Sequence, residues 1–90
     1  MKVGIAGYGV VGKRRYRSIL ENTKYKVTSV SESNLLAQKK IPSDLNIYNN
    51  YKSLIEEADI DIIFISLPNR FAAEAVALSL KRGLHVFCEK

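Results

Sequence analysis

Ninety residues, 47% hydrophobic and 26% charged, suffice for one small domain spanning 1–90 and exclude a disordered tail. The net charge of +5 owes much to Lys13, Arg14, Arg15, Arg17, Lys39 and Lys40, which read as solvated helix faces, and no recognition-helix or aromatic-studded pattern points to nucleic acid. One cysteine, Cys88, excludes a disulfide framework, and no apolar run has the length of a signal core or a membrane span; a cytoplasmic protein without a membrane partner is expected.

The first predicted strand, Lys2–Ala6, runs into GYGVVG at residues 7–12. A helix follows, with Gly12, Tyr16, Ile19 and Leu20 expected on its inner face and Lys13, Arg14, Arg17 and Glu21 outside. A second strand is predicted at Lys26–Ser31, then a short helix at 34–39, stopped before Pro42. The third strand, Asn46–Tyr48, rests on Ile47 and Tyr48 alone. Asn50 is expected to cap a helix at 51–58.

The fourth strand, 61–66, contains IIFIS, a β-branched and aromatic run without polar alternation, as expected for a strand buried on both faces. Asn69 is predicted to cap a helix over 70–82, which Gly83 stops, and a fifth strand spans 84–88. Strands and helices therefore alternate, which predicts right-handed βαβ units on a parallel sheet. The expected fold is α/β, a Rossmann-type three-layer α/β/α sandwich with strand order 3-2-1-4-5, ending after the fifth strand. An open fifth-strand edge would favour a homo-oligomer through that edge.

Three features make the glycine pattern a dinucleotide fingerprint: a strand leads in, a helix leads out, and Glu32 ends the second strand 20 positions after Gly12. The phosphate turn comprises Gly7, Tyr8, Gly9, Val10, Val11 and Gly12. Gly7 permits the tight turn, Gly9 lets backbone approach a pyrophosphate, and Gly12 lets the helix approach the sheet. The helix N-terminus offers free amides and a positive dipole end to the phosphates. Glu32 is positioned to accept the ribose hydroxyls and to repel a 2′-phosphate. Ser31, Ser33 and Asn34 supply no arginine to reward that phosphate, so the expected cofactor is NAD, with NADP disfavoured. The Tyr8 backbone should flank the pyrophosphate, with its ring over the cofactor or in solvent. Arg14 and Arg15 are read chiefly as part of the solvated face. His85 begins the fifth strand, at the end away from this turn, and is expected to be structural. Cys88 is expected to be a small core residue, and no spacing suggests a metal site.

Together with the fingerprint, the stretches DIDIIFIS, SLPNRFAAEAV (66–76) and GLHVFCEK (83–90) resemble the Gfo/Idh/MocA family of glucose–fructose oxidoreductase and inositol dehydrogenase-like proteins, over the whole chain. The resemblance implies NAD(P)-dependent oxidation or reduction of sugars, cyclitols or related polyols. It implies that Ser66, Leu67, Pro68 and Asn69 line the cofactor site, joined by Glu89 and Lys90. Lys90 would approach the substrate and assist proton transfer as the catalytic residue. Two positions depart from the family pattern: Ala72 stands where a histidine is usual, and Leu84 where lysine is common. The chain also ends at Lys90, before the usual proline and the second domain that holds the family's substrate pocket. The resemblance therefore implies an N-terminal cofactor-binding domain that does not transfer hydride alone. A free-standing NAD(H)-binding redox-sensing or regulatory module and an interaction protein that kept only the fold are the alternatives.

Overall fold

The structure, a computed structural model, describes residues 1–22 and 24–88. Five parallel strands form one sheet: β1 (Lys2–Ala6), β2 (Lys26–Ser31), β3 (Asn46–Tyr48), β4 (Ile62–Ile65) and β5 (His85–Cys88), in the order β3-β2-β1-β4-β5. Between them run α1 (Val10–Leu20), α2 (Leu35–Gln38), α3 (Tyr51–Glu57) and α4 (Asn69–Arg82). The predicted fold class and strand order hold.

Alternation along the strands sorts the core into two layers. Val3, Ile5 and Ile62 join Ile19 of α1 on one face, whereas Ala6, Ile63 and Ile65 meet Leu54 and Ile55 of α3 and Ala72 and Ala75 of α4 on the other. The central strand β1 is buried at four of its five positions, as a parallel strand between two layers must be.

The helix ends have identifiable causes. The Asn50 side chain accepts the Ser53 N–H at 2.8 Å, and the Asn34 side chain accepts the amides of Leu36 and Ala37. Arg82 of α4 donates to the carbonyls of Ile55 and Ala58, supplying donors that the end of α3 lacks. Gly83 ends α4 in the left-handed conformation, as expected.

Three local expectations are corrected. Asn69 is not a cap but the first residue of α4; Pro68 occupies the capping position, where its fixed φ suits an extended residue ahead of the helix. Leu20 is exposed at the end of α1 rather than on its inner face: its neighbour Ile19 takes the sheet-facing position of that last turn, and Leu20, one residue on, is turned away from it. Cys88 is exposed rather than in the core, because β5 is an edge strand flanked on one side only.

On the α1 side of β4 and β5 an apolar face stays open. Phe64 and Phe87 stack there at 4.9 Å between centroids, with Phe87 exposed and the Arg15 guanidinium 5.4 Å above Phe64. His85 lies on this same cleft at the start of β5.

Register aligns the strand ends. Ala6 pairs with Ser31 and Ile65, Ser31 with Tyr48, and Ile65 with Cys88, so every strand's carboxyl end lies on one edge of the sheet. Open parallel sheets bind their ligands along such an edge, where the strand order reverses.

Candidate functional site

The turn from β1 into α1 is built by steric necessity. Gly7 has φ +93 and donates its N–H to the Ser31 carbonyl at 3.0 Å, and a Cβ there would lie 2.6 Å from the Ser66 carbonyl oxygen. At Gly12 a Cβ would meet the Gly7 carbonyl oxygen at 2.0 Å, so α1 sits on the turn at a distance only glycine allows. Gly9 differs: no atom lies within 4 Å of its Cβ position, and its backbone is extended. The fold makes no demand for glycine there; a bare backbone facing open space is what a close-approaching ligand needs. The first turn of α1, with Val10 and Val11 exposed, has neither a side-chain cap nor an acidic residue. Its free amides and dipole therefore present positive potential at this opening.

Glu32 closes the turn from the β2 side. Its carboxylate accepts the Tyr8 N–H at 2.9 Å and the Asn34 N–H at 3.0 Å, and its backbone carbonyl accepts the Gln38 Nε2 at 2.6 Å. The acidic group is thereby fixed at the rim. The Tyr8 ring neither covers the opening nor faces solvent. It is buried against Tyr16 in an edge-to-face contact with centroids 6.1 Å apart, and that burial pushes its hydroxyl above the ordinary tyrosine pKa.

The end of β4 forms the third wall. Ser66 donates its N–H to the Ala6 carbonyl at 2.8 Å, and among the described residues its buried Oγ has no hydrogen-bond partner. An orphan hydroxyl of this kind calls for an acceptor or donor that the chain itself does not provide.

These walls enclose a cleft of ≈ 520 Å³, which brings Gly7, Gly9, Glu32, Ser66, Leu67 and Pro68 together. Val10, Val11 and Gly12 stand beside it in α1, and Asn69 does not line it. Glu89 and Lys90 lie outside the described residues. Sequence reasoning missed Ser31, Ser33, Asn50, Tyr51, Arg70 and Phe71, which complete the lining. The signal was available in part: Asn50, Tyr51, Arg70 and Phe71 begin helices that leave the carboxyl edge of the sheet.

The cleft fits a dinucleotide's adenosine half in its donor set: helix amides for phosphate, a carboxylate for hydroxyls, flat apolar walls for a base. Ala72, in the place of the expected histidine, is buried against the α3–α4 core. Among the described residues there is no group of three metal-ligating side chains, and no helix is long and apolar enough to cross a membrane.

Residues 1–90 match the family model described as an oxidoreductase family with an NAD-binding Rossmann fold, GFO_IDH_MocA. An inositol 2-dehydrogenase of Salmonella paratyphi B is 30% identical over 96 residues, covering 100% of this chain and 28% of that protein. A D-xylose 1-dehydrogenase (NADP(+)) of Haloferax volcanii is 27% identical over 93 residues, covering 100% of this chain and 29% of that protein. A scyllo-inositol dehydrogenase of Lactobacillus casei, solved with NAD(H) and scyllo-inositol, superposes with a TM-score of 0.89 at 28% identity, over 100% of this chain and 28% of that one. The chain thus spans less than a third of the length of these relatives.

Proposed function

The chain belongs to the Gfo/Idh/MocA oxidoreductase family and is an NAD(P)-binding Rossmann domain of it, and from that premise we propose that it is the dinucleotide-binding part of an NAD-dependent sugar or polyol oxidoreductase. Two of the relatives act, by name, on inositol and xylose, which supports a small polyhydroxylated substrate. Hydride exchange is the chemistry a nicotinamide supplies when bound. This chain's own residues bind and orient. The first-turn amides of α1 and the bare backbone at Gly9 hold the pyrophosphate, Gly7 and Gly12 keep the turn tight, and the Tyr8 backbone flanks it. Ser66, Leu67 and Pro68 border the cofactor from the β4 side, with Asn69 next to them at the start of α4. By the family resemblance, Glu89 and Lys90 serve the same cofactor, with Lys90 as the proton-transfer residue.

One observation carries the reading: the Glu32 carboxylate is anchored at the rim of a turn whose Gly9 faces open space. A fixed anion there pairs with ribose hydroxyls and repels a 2′-phosphate, which favours NAD over NADP. The 90 residues alone hold no substrate-selecting pocket on this reading and do not turn over a polyol. Titration calorimetry of the chain tests it. NAD(H) should bind more tightly than NADP(H), and Glu32→Ala should weaken NAD(H) roughly 10- to 100-fold through the lost charge-assisted hydrogen bonds. No heat at millimolar NAD(H) would sink the proposal.

Ala72 favours a second reading, a free-standing NAD(H)-binding sensor or regulatory module without chemistry, because the family's histidine position is filled here by a core residue. That reading shares the NAD(H) binding and differs in expecting no polyol oxidation by any longer form of the chain. A third, an interaction protein that kept only the fold, rests on the basic face of α1 and predicts salt-sensitive polyanion binding lost in an Arg14→Ala, Arg15→Ala variant. The reading as a cofactor domain also expects a cytoplasmic home, supported by the lone cysteine, with neither nucleic acid nor membrane as partner, and self-association through the β5 edge.

A further inference from the structure

Three planar groups that no fingerprint names stand in a row along the cleft. Tyr51, the first residue of α3, lies 6.1 Å from Phe71 between centroids, and the Arg70 guanidinium sits 4.7 Å from the centre of the Phe71 ring. All three line the cleft that Glu32 closes from the β2 side. The row is braced at one end: the Tyr51 hydroxyl donates to the Glu74 carboxylate, which Lys52 also approaches at 3.4 Å. At the other end Arg70 forms no ion pair among the described residues, and Phe71 is 38% exposed in a helix whose buried face is Ala72, Ala75 and Ser79. An arginine set against an aromatic ring, with no carboxylate to engage it, offers a planar cationic surface to a heteroaromatic π-face.

We propose that Arg70, set against Phe71, is the base-positioning residue of this chain, stacking on the adenine of the dinucleotide whose adenosine ribose Glu32 receives. The assignment rests on the NAD(H)-binding reading above and adds to it the residues that grip the base. Glu32 sets where the ribose lies, the helix amides set where the phosphates lie, and the base must take the remaining wall. That wall carries Tyr51, Phe71 and Arg70, and Arg70 is the only cation among the described residues that line the cleft. Arginine rather than lysine matters here, because stacking needs the plane and not the charge alone.

The test uses the 90-residue chain with AMP, ADP-ribose, NAD(H) and NADP(H) in calorimetry, and 1,N6-etheno-AMP as a fluorescent base probe. Arg70→Ala should weaken AMP, ADP-ribose and NAD(H) alike, roughly 5- to 30-fold, the range of a stacked base. Arg70→Lys should fail to restore it. Phe71→Leu, which keeps the helix packed, should weaken the same ligands by releasing the guanidinium. Etheno-AMP fluorescence should change on binding to the wild type and less so in Arg70→Ala. Wild-type affinity for AMP in Arg70→Ala, with NAD(H) binding intact, would overturn the assignment and leave the NAD(H) reading standing. Full rescue by Arg70→Lys, or a loss confined to NADP(H), would also overturn it and make Arg70 a phosphate contact. Absence of NAD(H) binding in the wild type would remove both.

Discussion

The Glu32 carboxylate accepts the backbone N–H of Tyr8 at 2.9 Å, joining the end of β2 to the glycine turn after β1. Its other oxygen accepts the Asn34 N–H at 3.0 Å, so one side chain orders two loops at the rim of the cleft. Glu32→Ala removes both acceptors. It should therefore lower stability without ligand by on the order of 1–2 kcal/mol, several degrees in Tm for a domain of this size. Thermal unfolding followed by circular dichroism checks this, and an unchanged Tm would mean that the carboxylate does not order the loops.

Gly9 and Gly12 should respond to the same substitution in opposite ways. Gly12→Ala drives a Cβ into the Gly7 carbonyl, which belongs to backbone and does not yield, so it should cost at least about 3 kcal/mol and leave little folded protein. Gly9→Ala meets no atom and should unfold at the wild-type temperature while losing most NAD(H) affinity. Urea titration together with calorimetry separates the two effects.

Burial of the Tyr8 ring raises its hydroxyl pKa, and the sign of the consequence follows. The folded chain holds this proton more tightly than the unfolded one, so the contribution is complete below the unfolded value of about 10 and is lost as pH rises through the higher folded value. The wild type should lose stability above about pH 10 more steeply than Tyr8→Phe, which has no proton to lose. Unfolding curves at intervals from pH 8 to 11 would show the two slopes diverging; parallel slopes would contradict it.

As the last strand of the sheet, β5 has a neighbouring strand on one side only, beside the exposed Phe87. Self-association should appear in light scattering as the concentration of the 90-residue chain rises, and Phe87→Lys should shift it back toward monomer, since a charged edge residue opposes strand pairing. A wild type that stays monomeric at high concentration would count against the edge as an interface.

Most of the architecture was legible because it follows from periodicity. The apolar run IIFIS could only be a strand with helices on both sides, and the alternation of strands with crossover-length segments left one economical sheet order. The turn at 7–12 was legible because its glycines answer local steric demands. The errors share a different origin. Whether Cys88 is covered, which of Ile19 and Leu20 meets the sheet, and where the Tyr8 ring goes depend on neighbours brought in from elsewhere in the chain. Arg70 and Phe71 escaped notice for the same reason: they look like an ordinary helix start until α3 delivers Tyr51 beside them. Pro68 shows the remaining case, a local signal misread, since a proline ahead of Asn69 already marks the helix boundary one residue earlier.

The contrast between Gly9 and its two neighbours has an evolutionary reading. Drift cannot touch positions 7 and 12 without breaking the backbone contacts that shape the turn, so glycine at those sites records only that the chain folds. Position 9 is under no such restraint: its backbone is extended and the space before it is open. A lineage that had abandoned its nucleotide would have been free to place a serine or an aspartate there, both better helix caps than glycine. The fold does not require glycine at position 9, and the open backbone there leaves the room that the cofactor reading needs for a phosphate.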